Sequence, residues 1–407
     1  MPDLNINLEQ NIDAFARLRV SDPQTIFDSK QISDNQPLFW DDDEVSGGGT
    51  ASVYNENQAS TTLSVGAVAG RRIRQTYRHF NYQPGKSQLV ILTGVLGEIA
   101  SGVVKRIGMF NDRNGLFFDL QGSGAGVNVR SFTTGAAVDN RIPQSDWNLD
   151  KMDGTGPSGV VLDFTKTLIF FFDFEWLGVG TVRFGFFIDG KPIYCHADHN
   201  SNINSVVYMS TPNLPLRYEI ENDGSGAASN MVHICSSVIT EGGRSDTGVI
   251  RGINRGGNLL TTGDNDLIYP LIALQLKASN LGAFIRFIDQ QIICTTGSEY
   301  AWYLIIDPVI TGAALTFIDL PNSAIRYAFG TGATTISGGT VLATGIGSDT
   351  AGGPGGGIKT GSEKQIESDL VLGSKIDETP QTVFLGVQRI IGTSETFMAS
   401  INFSETN

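Results

Sequence analysis

Residues 183–194, RFGFFIDGKPIY, hold two short apolar and aromatic runs on either side of Asp189-Gly190. Asp-Gly supplies the positive φ angles of a type I′ turn, whose twist matches that of two antiparallel strands. The stretch therefore reads as a β-hairpin, and the runs about Asn114-Gly115 read as a second one. Outward from these, runs of the same kind follow one another: 51–54, 61–65, 72–82, 88–96, 104–111, 116–120, 127–132, 168–176, 181–188, 191–196, 216–222 and 231–239. They are punctuated irregularly by Gly, Asn, Asp and Pro, with no repeat of fixed period. Helical periodicity is scarce: an amphipathic stretch with Ile12, Phe15 and Leu18, and a weaker one at 366–372. Strands without intervening helices argue against a βαβ enzyme and for antiparallel sheets packed as sandwiches.

A chain of 407 residues exceeds the roughly 250–300 at which single cores stop growing. Two domains are therefore expected. The polar stretch 241–257, opened by Gly242, Gly243, Arg244, Ser245 and Asp246, separates the runs above from a second set at 267–276, 283–295, 300–307, 315–319, 324–329, 340–346 and 382–391. The expected organisation is an extended N-terminal arm at 1–40, a jelly-roll domain at 41–243 and a β-sandwich at 258–407. After the arm, the acidic run Asp41 to Glu44 leads to Gly47, Gly48 and Gly49 and reads as an exposed turn. The Gly-rich stretch 352–361 reads as a flexible loop or one ordered by a partner.

Charged residues make up 17% of the chain, and 49 residues are Gly; an average soluble domain is about 25% charged. The surface must then rest on uncharged polar residues, which suits extensive subunit contact. A net charge of −14 argues against a sequence-independent hold on nucleic acid, which draws on Lys and Arg. No run approaches the roughly 18–20 apolar residues of a membrane span, and the N-terminus has no apolar run of a secretory signal. Cys195, Cys235 and Cys294 are odd in number and form no CxxC pair, so a disulfide framework is not expected.

Several constellations carry chemistry in principle. Asp173 and Glu175, two apart on a strand, could place paired carboxylates on one face as glycoside hydrolysis requires; the plainer reading is structural hydrogen bonding at a strand end. Cys195, His196, Asp198 and His199, with His233 as a remote partner, are metal-ligand types, but tight spacing on one loop rarely wraps a single ion. Arg72, Arg74 and Arg78 read as a basic stripe that pairs with the acidic surface of a neighbour. Asp41 to Glu44, and Asp264 with Asp266, could offer oxygens to calcium, yet neither matches an EF-hand loop, and both read as solvated turns. The glycines 352–357 lack the Lys-Ser/Thr of a nucleotide loop. No catalytic, cofactor-binding or metal-binding residue is assigned.

Several distinctive strings remain: AFARLRV (14–20), TIFDSK (25–30), NYQPGKSQ (81–88), DKMDGTGPSG (150–159), DFEWLGVG (173–180) and VYMSTPNLPLRYEI (207–220). In these the chain resembles a family of uncharacterised structural proteins of tailed bacteriophages, with Ala16 where the family string has Gly. Toward the C-terminus, Trp302 to Ile306 with Asp307-Pro308, then Pro321-Asn322-Ser323-Ala324 and Ser337-Gly338-Gly339 are similar to β-sandwich modules of the same proteins. The resemblance implies a non-enzymatic virion component in many copies, of the tail, baseplate or another appendage, with capsid decoration, a head fibre or host-glycan recognition as alternatives. It carries no catalytic residue across. Expected partners are further copies of the chain and other virion proteins, with a host surface glycan as a further candidate; nucleic acid and membrane insertion are not expected. The order of strands and the segment 106–118 also look like a concanavalin-type jelly roll, which leaves function open.

Overall fold

The computed structural model describes residues 21–243, 248–295, 299–348, 372–390 and 394–406. The architecture is all-β: two antiparallel β-sandwich domains, the first of jelly-roll type. Among the described residues, no helix is long and apolar enough to cross a membrane.

The first domain begins with β1 (Pro23–Lys30), β2 (Trp40–Gly47), β3 (Thr50–Asn55), β4 (Ser60–Val65) and β5 (Gly70–Thr76). It continues through β6 (Ser87–Val95), β7 (Val103–Phe110), β8 (Gly115–Gln121), β9 (Gly124–Ser131) and β10 (Val138–Pro143). It ends with β11 (Leu168–Phe174), β12 (Thr181–Ile188), β13 (Lys191–His199), β14 (Leu216–Asn222) and β15 (Ser229–Glu241). One sheet runs β13-β12-β11-β6-β15-β4-β3, with β1 also on β15; the other runs β10-β9-β8-β7-β14-β5-β2. Strand alternation builds the core between them: Phe170, Phe172 and Phe174 of β11 point inward while Phe171 and Asp173 point out. From the opposite sheet Phe118 meets Phe170, Phe184 and Phe186 at ring separations of 5.2, 5.4 and 5.1 Å.

The hairpin about Asp189-Gly190 is present, with φ of 50° and 73° at the two turn residues. The one at Asn114-Gly115 is built differently. Its turn spans residues 111–114, because the Asn111 carboxamide accepts from the backbone of Arg113 at 2.9 Å and of Asn114 at 2.8 Å. Of the expected arm, residues 1–20 lie outside the described residues, whereas 23–30 form β1 and Trp40 opens β2. Phe27 and Trp40 are buried in the first core, which draws this stretch into the sandwich. The acidic run also departs from expectation: Asp41 to Glu44 lie in β2, opposite Gln75, Arg74, Ile73 and Arg72 of β5.

The second domain comprises β16 (Val249–Asn254), β17 (Leu260–Thr261), β18 (Tyr269–Leu276), β19 (Phe284–Cys294), β20 (Glu299–Ile306) and β21 (Val309–Gly312). Then come β22 (Ile318–Asp319), β23 (Ile325–Phe329), β24 (Thr334–Ser337), β25 (Thr340–Ser348), β26 (Thr382–Arg389) and β27 (Thr396–Thr406). A six-stranded sheet, β22-β23-β18-β26-β20-β25, packs on one in which β27 pairs with β16, β17 and β19. Trp302, Leu304, Leu385 and Val387 from the first meet Phe397, Ile401 and Phe403 from the second. The pair β21-β24 covers the other face, over Ala273, Ile305 and Phe384. The Gly-rich stretch 352–361 and all but Leu372 of the weak helical stretch 366–372 lie outside the described residues.

Truncating Phe118 to Ala removes a ring from the centre of the first core. The expected cost is about 3–5 kcal/mol, read as a lowered denaturation midpoint in urea; a loss below about 1 kcal/mol would contradict this packing.

Candidate functional site

The outer face of the seven-stranded sheet gathers a dense set of ion pairs. Along β14, Leu216, Tyr218 and Ile220 face the core, so Arg217, Glu219 and Glu221 face out. Cross-strand register then sets Arg217 beside Gln75 and Gly108, and Glu219 beside Ile73 and Arg106. The fully buried Glu219 carboxylate accepts from Arg71 at 2.9 Å, from Arg106, and from Arg217 at 3.4 Å. Asp112 accepts from Arg71 at 2.8 Å and Arg217 at 2.7 Å. Farther across, Arg130 grips Asp139 through two bonds of 2.6 and 2.9 Å and lies over the Phe117 ring, and Arg141 holds Asp119 at 2.7 Å. Burial alone would push the Glu219 carboxyl up. The three guanidiniums around it overcome that and hold it well below the usual carboxylate range.

This face leads to a polar crevice of about 220 Å³ between the two domains. Asn111, Asn114, Ser210 and Asn213 line it from the first domain, Gly282 and Lys375 from the second. The Asn114 carboxamide ties three segments together, accepting from the backbone of Ser210 at 3.0 Å and of Phe132 at 3.2 Å and donating to the Ser210 hydroxyl at 2.8 Å. Across the crevice Arg113 meets Glu378 at 3.1 Å, Asn213 donates to the Gly282 carbonyl at 2.9 Å, and Ile376 donates its N–H to Asp41 at 2.8 Å. His79 also lines the crevice, and burial pushes its imidazole down to about 4.

The residues singled out in the sequence are dispersed. Asp173 is clamped by Arg183 at 2.7 Å and Tyr194 at 2.7 Å, while Glu175 lies beyond the end of β11, exposed, its backbone N–H bonded to Thr181. The Cys195 thiol is buried and donates to the Phe184 carbonyl at 3.4 Å. Its neighbour His196 points to the other face, and His199 bonds Thr181 at 3.1 Å. His233 lies in the interior against Tyr218, with ring centroids 3.8 Å apart. Among the described residues, no group of three or more His, Cys, Asp and Glu converges to hold a metal ion, and the three cysteines are free thiols.

The basic stripe is corrected, because its partners are in its own chain. Asp42 accepts from Arg72 at 2.8 Å and from Arg74 at 3.2 Å. Arg74 is wholly buried, and Arg78 donates to the Ile26 carbonyl at 3.1 Å and lies 5.4 Å from the Phe284 ring. The calcium reading of the acidic run loses its geometry in the same way: Asp41 turns to Ile376, Asp42 to the arginines, and Glu44 to Thr50 at 2.6 Å. Asp264 caps the backbone of Asp266 at 2.9 Å. The glycines 352–357 lie outside the described residues. The ion-pair face itself was missed, although the alternation Arg217, Glu219, Glu221 between apolar residues was the signal that could have found it.

No family model matches the chain, and no curated protein matches it in sequence. Solved structures do match about half of it. The CBM2 module of the evolved Dit of Lactobacillus casei BL23 phage J-1 is 6% identical over 56% of this chain and 99% of its own, with a TM-score of 0.36. A family 16 glycosyl hydrolase protein from Mycobacterium smegmatis is 11% identical over 53% and 100%, at 0.33. A legume lectin-like domain from Entamoeba histolytica is 9% identical over 51% and 91%, at 0.30. None of these likenesses bears on what this chain binds or does.

Acid should loosen this region in two stages. His79 and His233, held neutral by burial, exclude a proton that the unfolded chain binds below about 6.5. Their contribution is complete above that pH and is lost as pH falls toward their folded values, by up to about 1.4 kcal/mol per unit for each. Glu219, held ionised, contributes stability above about 4.5 that is lost only in stronger acid. Urea unfolding across pH 7 to 5 should show falling stability, less steeply in His79→Gln; a flat wild-type profile would contradict the buried neutral imidazoles. Glu219→Gln should cost about 3–5 kcal/mol at pH 7, since it removes the fully buried countercharge that Arg71, Arg106 and Arg217 share.

Proposed function

We propose that the chain is a non-enzymatic structural protein of a tailed-phage particle, present in many copies in a tail, baseplate or appendage and assembling through its β-domains. The observation that carries the reading is where the charge goes. The acids and bases on the outer face of the seven-stranded sheet neutralise one another within the chain, so Glu219 has no proton to give, and on the other sheet Asp173 is clamped by Arg183 and Tyr194. General acid catalysis needs the opposite, a carboxyl raised toward neutrality. Because this face satisfies its ions within the chain and only 17% of all residues are charged, much of the remaining surface falls to uncharged polar side chains, which suit subunit contact. The resemblance of strings such as 14–20 and 207–220 to phage structural proteins supports the virion setting. Assembly in the host cytoplasm, and partners among other virion proteins, follow from that reading; nucleic acid and membrane insertion have no part in it.

A second reading, recognition of a host surface glycan, is favoured by one feature. The interdomain crevice is lined by the amide and hydroxyl side chains of Asn111, Asn114, Ser210 and Asn213, residue types that sugar hydroxyls pair with once the bonds among them are exchanged. Titration calorimetry with host polysaccharide separates the two, heat that is lost in Asn213→Ala supporting recognition.

The purified protein is expected to associate with itself as concentration rises, and to release no reducing ends from host polysaccharide. Sugar release that disappears in Glu175→Gln would overturn the non-enzymatic reading.

A further inference from the structure

We infer that β25 is the edge by which two copies of the chain join, each β25 pairing antiparallel with its counterpart across a two-fold axis. The inference rests on the assembly reading above and names its contact. Among the described strands, β25 closes one side of the six-stranded sheet. Such an edge offers a row of unpaired N–H and C=O groups to any extended chain, and proteins blunt their edges with charge, proline or shortness.

This chain blunts its other long edges. Asp41 to Glu44 lie on β2, Asp139 and Arg141 on β10, and Lys191-Pro192 on β13. Pro23 lies on β1, Arg251 on β16, and Arg286 with Asp289 on β19. Strand β25, TVLATGIGS, runs for 9 residues without a charge or a proline. Strand β3 is uncharged too, but it is shorter at 6 residues, and its Thr50 and Ser52 are bonded to Glu44 and Asp42.

The inner side of β25 is fixed. A Cβ at Gly345 would stand 2.6 Å from the Trp302 indole nitrogen, and one at Gly347 2.3 Å from the Tyr300 ring. Glycine at both positions lets these rings press against the strand. Its outer side carries exposed Val341 (50%) and Ile346 (72%), with Thr344 between them. Val309 and Ile310, also exposed, extend this surface past the start of the strand, where Gly339 packs on Pro308.

Charge identifies the occupant as a second copy. Two chains of net charge −14 repel, and they meet at least cost where neither presents an ion. Antiparallel self-pairing of β25 sets only uncharged residues opposite one another. The contact is also isologous, so it closes as a dimer or as the repeated link of a larger closed assembly.

Sedimentation equilibrium on the full chain tests this, with Ile346→Lys and Val341→Lys as variants whose side chains lie on the exposed face. The expected result is wild-type association in multiples of 43.7 kDa, weakened at least about tenfold in each variant, with unchanged circular dichroism and melting temperature. Association equal to wild type in both variants would overturn the β25 contact while leaving the assembly reading standing. A wild-type chain that stays monomeric at its highest soluble concentration would overturn both. Slow amide hydrogen exchange along β25 in a monomeric sample would also overturn the contact, since the chain itself would then cover the edge.

Discussion

A guanidinium with no exposure to solvent lies between the two sheets of the first sandwich, and much of that domain is arranged to satisfy it. Taking the Arg74 charge out of water costs several kcal/mol unless partners surround it. Asp42 of β2 supplies the countercharge at 3.2 Å, His233 of β15 accepts through Nδ1 at 3.1 Å, the Asn35 carbonyl accepts as well, and the Trp40 ring lies 5.3 Å away. Because Nδ1 accepts, Nε2 carries the proton and donates to Ser236 at 3.1 Å. Gln31, just past β1, bonds the His233 and Ile234 carbonyls at 3.0 and 3.1 Å. One buried cation thus joins β2, β5 and β15, which belong to both sheets, and through the Asn35 carbonyl pins the segment before Trp40 against the sandwich.

The same economy runs through the charged face outside. Glu219 is surrounded by three guanidiniums, Asp112 is shared by two, and Arg130 and Arg141 each hold a carboxylate across neighbouring strands. These pairs fix the register of the seven-stranded sheet and spend its ions on one another. What remains for other molecules includes a polar crevice at the domain junction and the uncharged edge of β25. The strongest charges of this face are thus satisfied within the chain.

Local turn chemistry made part of this legible from the residues alone. Asp189-Gly190 places a hairpin wherever it falls between apolar runs, and strand alternation gave the two-sandwich class. Features set by distant segments were not legible. The acidic run looked like a solvated turn because nothing near Asp42 in the chain announces that Arg72 and Arg74 will lie opposite it. Asn114-Gly115 promised a two-residue turn, but the Asn111 side chain holds a longer one. Asp173 and Glu175 looked like a pair until β11 ended at Phe174 and a cross-strand arginine took the aspartate. Metal-ligand types at 195–199 were scattered by the strand's own alternation, which sends adjacent side chains to opposite faces.

As proposed, this chain is joined to copies and companions in a phage particle. Immunogold electron microscopy of intact particles, with antibody raised to the purified chain, tests it most directly. Several labels per particle at one fixed structural position are predicted. Unlabelled particles, with the protein confined to the soluble fraction of the host lysate, would contradict it.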